Sequence, residues 1–242
     1  PEKLIITVST DGDEQMNDEI RGIEGGWQRQ IETFRRLREI PGYVEEFGKV
    51  FGSKSKGADA ASPITIDNVA KAIASYERTL VTPDSPVDLY LKGNKKALKP
   101  AQIRGMELVK SVGCLSCHSG PNYAGPKLPV GTGFYQKFPV NAVADYETKY
   151  GLSKDPGRFE VTKNEADRNF WRVPTWRNVA LTAPYFHNGS VATLDEAVRV
   201  MAKTQLNKEL KDNEVADIVE FLKGLTGKFP KQTLPVLPPY DR

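Results

Sequence analysis

The two cysteines of this 242-residue chain stand three positions apart, at Cys114 and Cys117, and one of its two histidines follows at once as His118. In the run Gly113-Cys114-Leu115-Ser116-Cys117-His118-Ser119-Gly120, two thiols can each add to a vinyl group of one porphyrin, and the adjacent imidazole can then ligate the iron. This C-x-x-C-H spacing reads as a c-type haem attachment site. Zinc would require two further Cys or His ligands, and only His187 is left. A thioredoxin-like dithiol would open a helix after a strand within a βαβ pattern, and no such pattern flanks the motif. With both cysteines committed to haem, no disulfide is expected.

The other side of the iron is either open for chemistry or closed by a second ligand that favours electron transfer. The candidates for closure are His187, Met16, Met106 and Met201. Met106 lies on the helix leading into the motif and reads as core, while Met16 lies in a polar stretch. Met201 falls on the apolar face of a downstream helix, which suits a thioether approaching the distal side; a core methionine is the alternative reading. A Met/His pair raises the iron potential, so such a haem accepts and passes on electrons.

The elements that must position these residues are mostly helical. Trp27, Ile31, Phe34 and Leu37 recur at helical spacing before Pro41-Gly42, and Tyr43, Phe47, Val50 and Phe51 predict a short second helix ahead of a Gly/Ser/Lys/Ala-rich loop at 52–62. Residues 66–80 predict an amphipathic helix with Ile66, Val69, Ala70, Ile73, Glu77 and Leu80 on one face. Pro83 and Pro86 mark a boundary, and Pro100 opens the helix that runs into the haem motif. Residues 119–170 lack periodicity, as a segment wrapped around a large cofactor would, and Asp155-Pro156-Gly157-Arg158 is a turn signal. Thr193 to Glu196 reads as a capping box ahead of Leu194, Ala197, Val198 and Met201, and Asp212 opens a last helix with Val215, Ile218, Val219, Leu222 and Leu225 inward. Leu4 to Val8 reads as a weak strand or extended arm. Nothing obliges a β-sheet.

A formal charge of +3, from 34 basic and 31 acidic residues, gives no field of the size nucleic-acid binding needs. Lys92, Lys95, Lys96 and Lys99 form a local basic cluster that reads as a solvated surface or a dock for an acidic partner. No apolar run reaches the length of a membrane span, and no signal-peptide pattern opens the sequence.

Asp155-Pro156-Gly157-Arg158-Phe159-Glu160-Val161-Thr162 and the run from Phe170 through Arg172-Val173-Pro174-Thr175-Trp176-Arg177-Asn178 to Pro184-Tyr185-Phe186-His187-Asn188-Gly189-Ser190 resemble the bacterial di-haem cytochrome c peroxidase family. So do Ile40-Pro41-Gly42-Tyr43 and Glu77-Arg78-Thr79-Leu80, and the likeness covers about residues 27–227. The resemblance implies two cytochrome c-like domains, a peroxidatic haem in the first and a Met/His electron-transfer haem in the second. By position Cys114, Cys117 and His118 belong to the electron-transfer haem, and the family's distal methionine falls on Met201. Related enzymes that mature a tryptophylquinone cofactor carry tyrosine at that position, so Met201 favours the peroxidase branch. The resemblance further implies haem-propionate contacts by Arg172 and His187, and a calcium ion held partly by the carbonyls of Thr182 and Pro184.

It also implies hydrogen peroxide as substrate, a small cytochrome c or cupredoxin as electron donor, a periplasmic location and a homodimer. There is no second C-x-x-C-H, so the peroxidatic haem is absent from this sequence; a second haem is expected in a full-length protein, and a natural single-haem electron carrier is the alternative. A di-haem relative oxidising another substrate is a further one. Glu14 and Gln15, in Asp13-Glu14-Gln15-Met16, are a candidate remnant of the family's distal glutamate segment. The expected architecture is mainly α: a partial N-terminal domain over 1–86, a cytochrome c-like haem domain with long wrapping loops over 87–230, and an extended tail over 231–242.

Overall fold

A computed structural model describes residues 24–52, 62–129, 132–233 and 235–239. The expected arm at 4–8, and Glu14, Gln15 and Met16, lie outside the described residues. The described chain is mainly helical and divides into two compact units, one comprising the residues up to Val81 with those from Pro230 onward, the other Thr82–Phe229. No described helix is long and apolar enough to cross a membrane.

In the smaller unit, α1 (Gly26–Glu39) meets α2 (Pro41–Phe51) at Ile40, whose extended backbone ends the first helix while Pro41 starts the second. Proline fits there because the first helical position needs no N–H donor. Leu37, Ile64 and Val69 form the buried cluster, joining α1 to α3 (Ile66–Glu77), whose N-terminus is capped by Thr65 Oγ1 accepting from the Asn68 amide at 3.1 Å. The amphipathic face expected on α3 is buried only at Val69. Ile66 is 58% exposed and Leu80 47% exposed, because no described element covers the rest of that face.

The larger unit is built on α5 (Pro100–Val112) packed against α9 (Asp212–Lys223). Val109 from the first meets Ile218, Phe221 and Leu222 from the second, with Val87, Leu98 and Leu225 completing the cluster. The crossing is close because Gly105 has no side chain: a Cβ there would run into the Asp217 carbonyl and lie 2.8 Å from Phe221 Cβ. Arg104 Nε and Nη2 each donate at 2.7 Å to the Asp217 carboxylate, which holds the two helices in this register. Before them, α4 (Pro86–Leu91) has a reciprocal cap: Ser85 Oγ accepts from the Asp88 amide, and the Asp88 carboxylate accepts from the Ser85 amide.

The stretch without periodicity is more ordered than its sequence suggests. It contains α6 (Ala144–Tyr150), the one-turn α7 (Phe159–Thr162), and strand β1 (Tyr135–Lys137), which pairs antiparallel with β2 (Phe170–Arg172). Three residues per strand are too few for an alternating pattern to be read from sequence. The Asp155 turn forms as expected, with the Gly157 amide donating to Asp155 Oδ1 at 2.8 Å. Finally α8 (Leu194–Leu206) starts at Thr193, which accepts from the Glu196 amide. The expected capping box is only half formed there, because the Glu196 carboxylate accepts from Tyr150 Oη at 2.6 Å instead. That bond ties α8 to a second buried cluster of Phe138, Tyr150, Leu152, Tyr185, Val191 and Val200.

Candidate haem site

Helix α5 stops at Gly113, whose φ of 105° only glycine adopts without strain, and the chain turns through a 3-10 segment at Cys114–Ser116. The His118 amide donates to the Cys114 carbonyl at 3.0 Å, so the motif closes on itself and Cys114, Cys117 and His118 all face one cavity. Both cysteines are unpaired thiols. Burial pushes the Cys114 thiol up to about 11, which leaves about one part in ten thousand as thiolate at neutral pH. A redox dithiol needs the opposite shift, so Cys114 is a poor nucleophile for disulfide exchange.

His118 is buried, and its Nδ1 lies 3.0 Å from the Tyr123 carbonyl. A carbonyl can only accept, so the proton sits on Nδ1 and the lone pair on Nε2. Burial also lowers the histidine's pKa, against the opposing pull of the Tyr123 and Pro174 backbones, and the ring is neutral as a metal ligand must be. Trp176 stacks on the imidazole with ring centroids 4.3 Å apart and planes 20° apart.

The cavity has a volume of about 440 Å³ and a mainly apolar wall. Cys114, Cys117 and His118 line it from the C-x-x-C-H turn. Leu194, Ala197, Val198 and Met201 line it from α8, and the same face also packs against the two buried clusters of the larger unit. Arg172, Thr182, Pro184 and His187 line the same cavity, whereas Met106, the other ligand candidate within the described residues, packs against the α5–α9 core. His187 stacks on Trp171 at 4.0 Å, and its buried Nε2 has no hydrogen-bond partner among the described residues. Burial lowers its pKa as well.

These features fit a haem c. The residues present are a neutral imidazole with a free lone pair, two free thiols and a thioether, around an apolar slot that leaves a buried polar ring atom without a partner among the described residues. Three contributors carried no assigned role in the sequence: Trp176 over His118, Trp171 under His187, and Tyr123 as the acceptor for Nδ1. The two tryptophans were visible as large rings within the run 170–178. Tyr123 was not, because it acts through a backbone atom that any residue supplies.

A family description, "Di-haem cytochrome c peroxidase", matches residues 10–96. The cytochrome c551 peroxidase of Nitrosomonas europaea is 48% identical over 203 residues, covering 84% of this chain and 55% of that protein. That of Pseudomonas aeruginosa is 44% identical, covering 84% of this chain and 54% of that protein. The chain therefore spans about half the length of these curated relatives. Among solved structures, a MauG-like protein associated with microbial copper homeostasis superimposes with a TM-score of 0.63 at 27% identity, over 85% of this chain and 65% of that one. A dihaem peroxidase from Burkholderia thailandensis shares the fold, with a TM-score of 0.52 at 21% identity over 80% of this chain and 58% of that one. The attachment motif, the cavity behind it and these likenesses agree, and over 84% of its length the chain is similar to di-haem cytochrome c peroxidases.

Proposed function

We propose that this chain carries the electron-transfer haem of a c-type peroxidase, with Cys114 and Cys117 as covalent anchors and His118 and Met201 as axial ligands. The observation that supports this most directly is the single apolar cavity onto which all four residues open. When bound there, haem supplies a one-electron Fe(III)/Fe(II) couple. The protein's own part is to hold it. Tyr123 fixes the tautomer of His118, α8 presents the Met201 sulfur, the apolar wall excludes water, and Arg172 and His187 offer hydrogen bonds to the propionates. A thioether opposite an imidazole favours the reduced iron.

Hydrogen peroxide is the substrate we assign to the whole protein, with a small cytochrome c or cupredoxin as reductant, the periplasm as its setting and a homodimer as its assembly. These assignments rest on the family resemblance. Reducing one peroxide to two waters consumes two electrons and two protons, and one Fe(III)/Fe(II) couple holds a single electron. A second redox centre is therefore required, and a polypeptide found by pyridine haemochrome to hold only one haem and to turn over no peroxide is instead a mono-haem electron carrier. For the distal ligand, Met201→Ala is expected to abolish the methionine-to-iron charge-transfer band of the oxidised protein and to lower its midpoint potential. Persistence of the band would place the ligand elsewhere.

We assign calcium to the carbonyls of Thr182 and Pro184. Among the described residues no cluster of three or more His, Cys, Asp or Glu could hold a metal, and carbonyl oxygens such as these suit a hard cation. Both residues are exposed, and no hydrogen bond among the described residues ends on either carbonyl. Chelating calcium from the haem-loaded protein is expected to lower its Tm, with recovery on adding calcium back. An unchanged Tm would remove the assignment.

A further inference from the structure

The Tyr123 carbonyl that orients His118 belongs to an irregular loop, and such a loop holds an atom in place only if it is itself tied down. The tie is Arg177. Its Nε and Nη2 donate to the Pro121 carbonyl at 2.9 and 2.7 Å, while Nη1 and Nη2 donate to the Asp88 carboxylate at 2.7 and 2.8 Å. Two residues earlier, Thr175 Oγ1 donates to the Asn122 carbonyl at 2.6 Å. Between these anchors stands Trp176, stacked on His118 and, at 5.6 Å and 15°, on the Tyr123 ring. Asp88 is itself immobilised, because its Oδ2 also accepts from the amide and the hydroxyl of Ser85. The pair is largely shielded, with side chains 18% exposed for Asp88 and 22% for Arg177, so solvent screening takes less from it than from a surface pair.

A continuous set of charge-assisted bonds thus runs from the first turn of α4 to the loop that holds the proximal imidazole, across 30 residues of sequence between Asp88 and His118. We propose that Asp88, acting through Arg177, is a positioning residue for the His118 ring: it holds the Pro121-Asn122-Tyr123 backbone where the Tyr123 carbonyl accepts the hydrogen bond from Nδ1–H. This rests on the reading of His118 as an axial ligand. A strong bond at Nδ1 makes Nε2 more basic and a better donor to iron, which favours the oxidised state. Loosening the loop weakens that bond, so the potential rises.

The test uses the haem-loaded protein. Asp88→Asn keeps the size of the side chain and removes the charge opposite Arg177. Arg177→Lys keeps the positive charge but cannot reach the carboxylate and the Pro121 carbonyl at once. Each is expected to raise the midpoint potential and to shift the low-spin ferric EPR g-values, with one haem still attached per site. The control is Asp217→Asn, which breaks the ion pair to Arg104 between α5 and α9, a pair with no bond to the 121–123 loop. It is expected to lower Tm without moving either signal. Wild-type potential and g-values in the two variants would overturn the proposal, as would an equal shift in the control. If Asp88→Asn fails to accumulate, Arg177→Lys decides alone. A wild-type spectrum without histidine ligation would refute the axial role of His118 itself, whereas intact ligation with an unmoved potential refutes only the positioning role.

Discussion

A Cys114→Ala/Cys117→Ala chain, made alongside the machinery that assembles c-type haem, is expected to show no haem stain after denaturing electrophoresis, where the parent chain stains fully. Stain survives denaturation only if porphyrin is bound through carbon–sulfur bonds, and these are the only two cysteines in the sequence. His118 and Met201 remain in the double variant, so haem supplied to the native form can still enter the cavity and leave on denaturation. Each single variant should keep one thioether and a shifted pyridine haemochrome band. Undiminished stain in the double variant would mean attachment elsewhere and would defeat the haem reading of the motif. The high pKa of Cys114 adds a second expectation: an alkylating reagent at neutral pH should label this thiol slowly in the haem-free chain, because so little of it is thiolate.

Gly105→Ala is expected to destabilise the larger unit by about 2 to 3 kcal/mol, although alanine is the better helix former. Helix propensity favours the substitution by about 1 kcal/mol. Against that, the new methyl would overlap the Asp217 carbonyl and sit 2.6 Å from its carbon, and a backbone group in the middle of a regular helix cannot swing aside as a side-chain tip can. Overpacking of this kind costs about 1 to 3 kcal/mol and more where the neighbour is backbone, so the steric term wins. At about 2 to 4 °C per kcal/mol for a unit of this size, calorimetry should read a fall in Tm of roughly 5 to 10 °C. Gly48→Ala reverses the sign: Gly48 lies within α2 with nothing within 4 Å of an added Cβ, so only the propensity term acts and stability rises. A Gly105→Ala protein as stable as the parent would show that the two helices can part freely.

The helices that frame the site were readable because their apolar residues repeat. Val215, Ile218, Val219, Leu222 and Leu225 all proved buried, and the C-x-x-C-H motif announced itself by residue type alone. On α8 the periodicity located the face but left its partner open, since a haem cavity and a protein core make the same demand on Leu194, Ala197, Val198 and Met201. On α3 the same kind of pattern left Ile66 and Leu80 in solvent, because a pattern specifies an apolar face without specifying what covers it. What the sequence hid were pairings at long range and roles played by backbone. Ser85 and Asp88 cap α4 in the structure, but nothing in their residue types or spacing names Arg177 as a partner 89 residues away. The β1–β2 ladder was hidden for a simpler reason, being too short to repeat.

The smaller unit is assembled from two separate pieces of sequence, with Pro238 lying against Gly42 of α2, whereas the larger is one uninterrupted run. For a chain delivered N-terminus first, the order of completion is therefore inverted. Thr82–Phe229 is complete once Phe229 has arrived, while the smaller unit receives its second piece only with the residues from Pro230 onward. The haem cavity belongs wholly to the uninterrupted run, so its walls can assemble before that second piece is delivered.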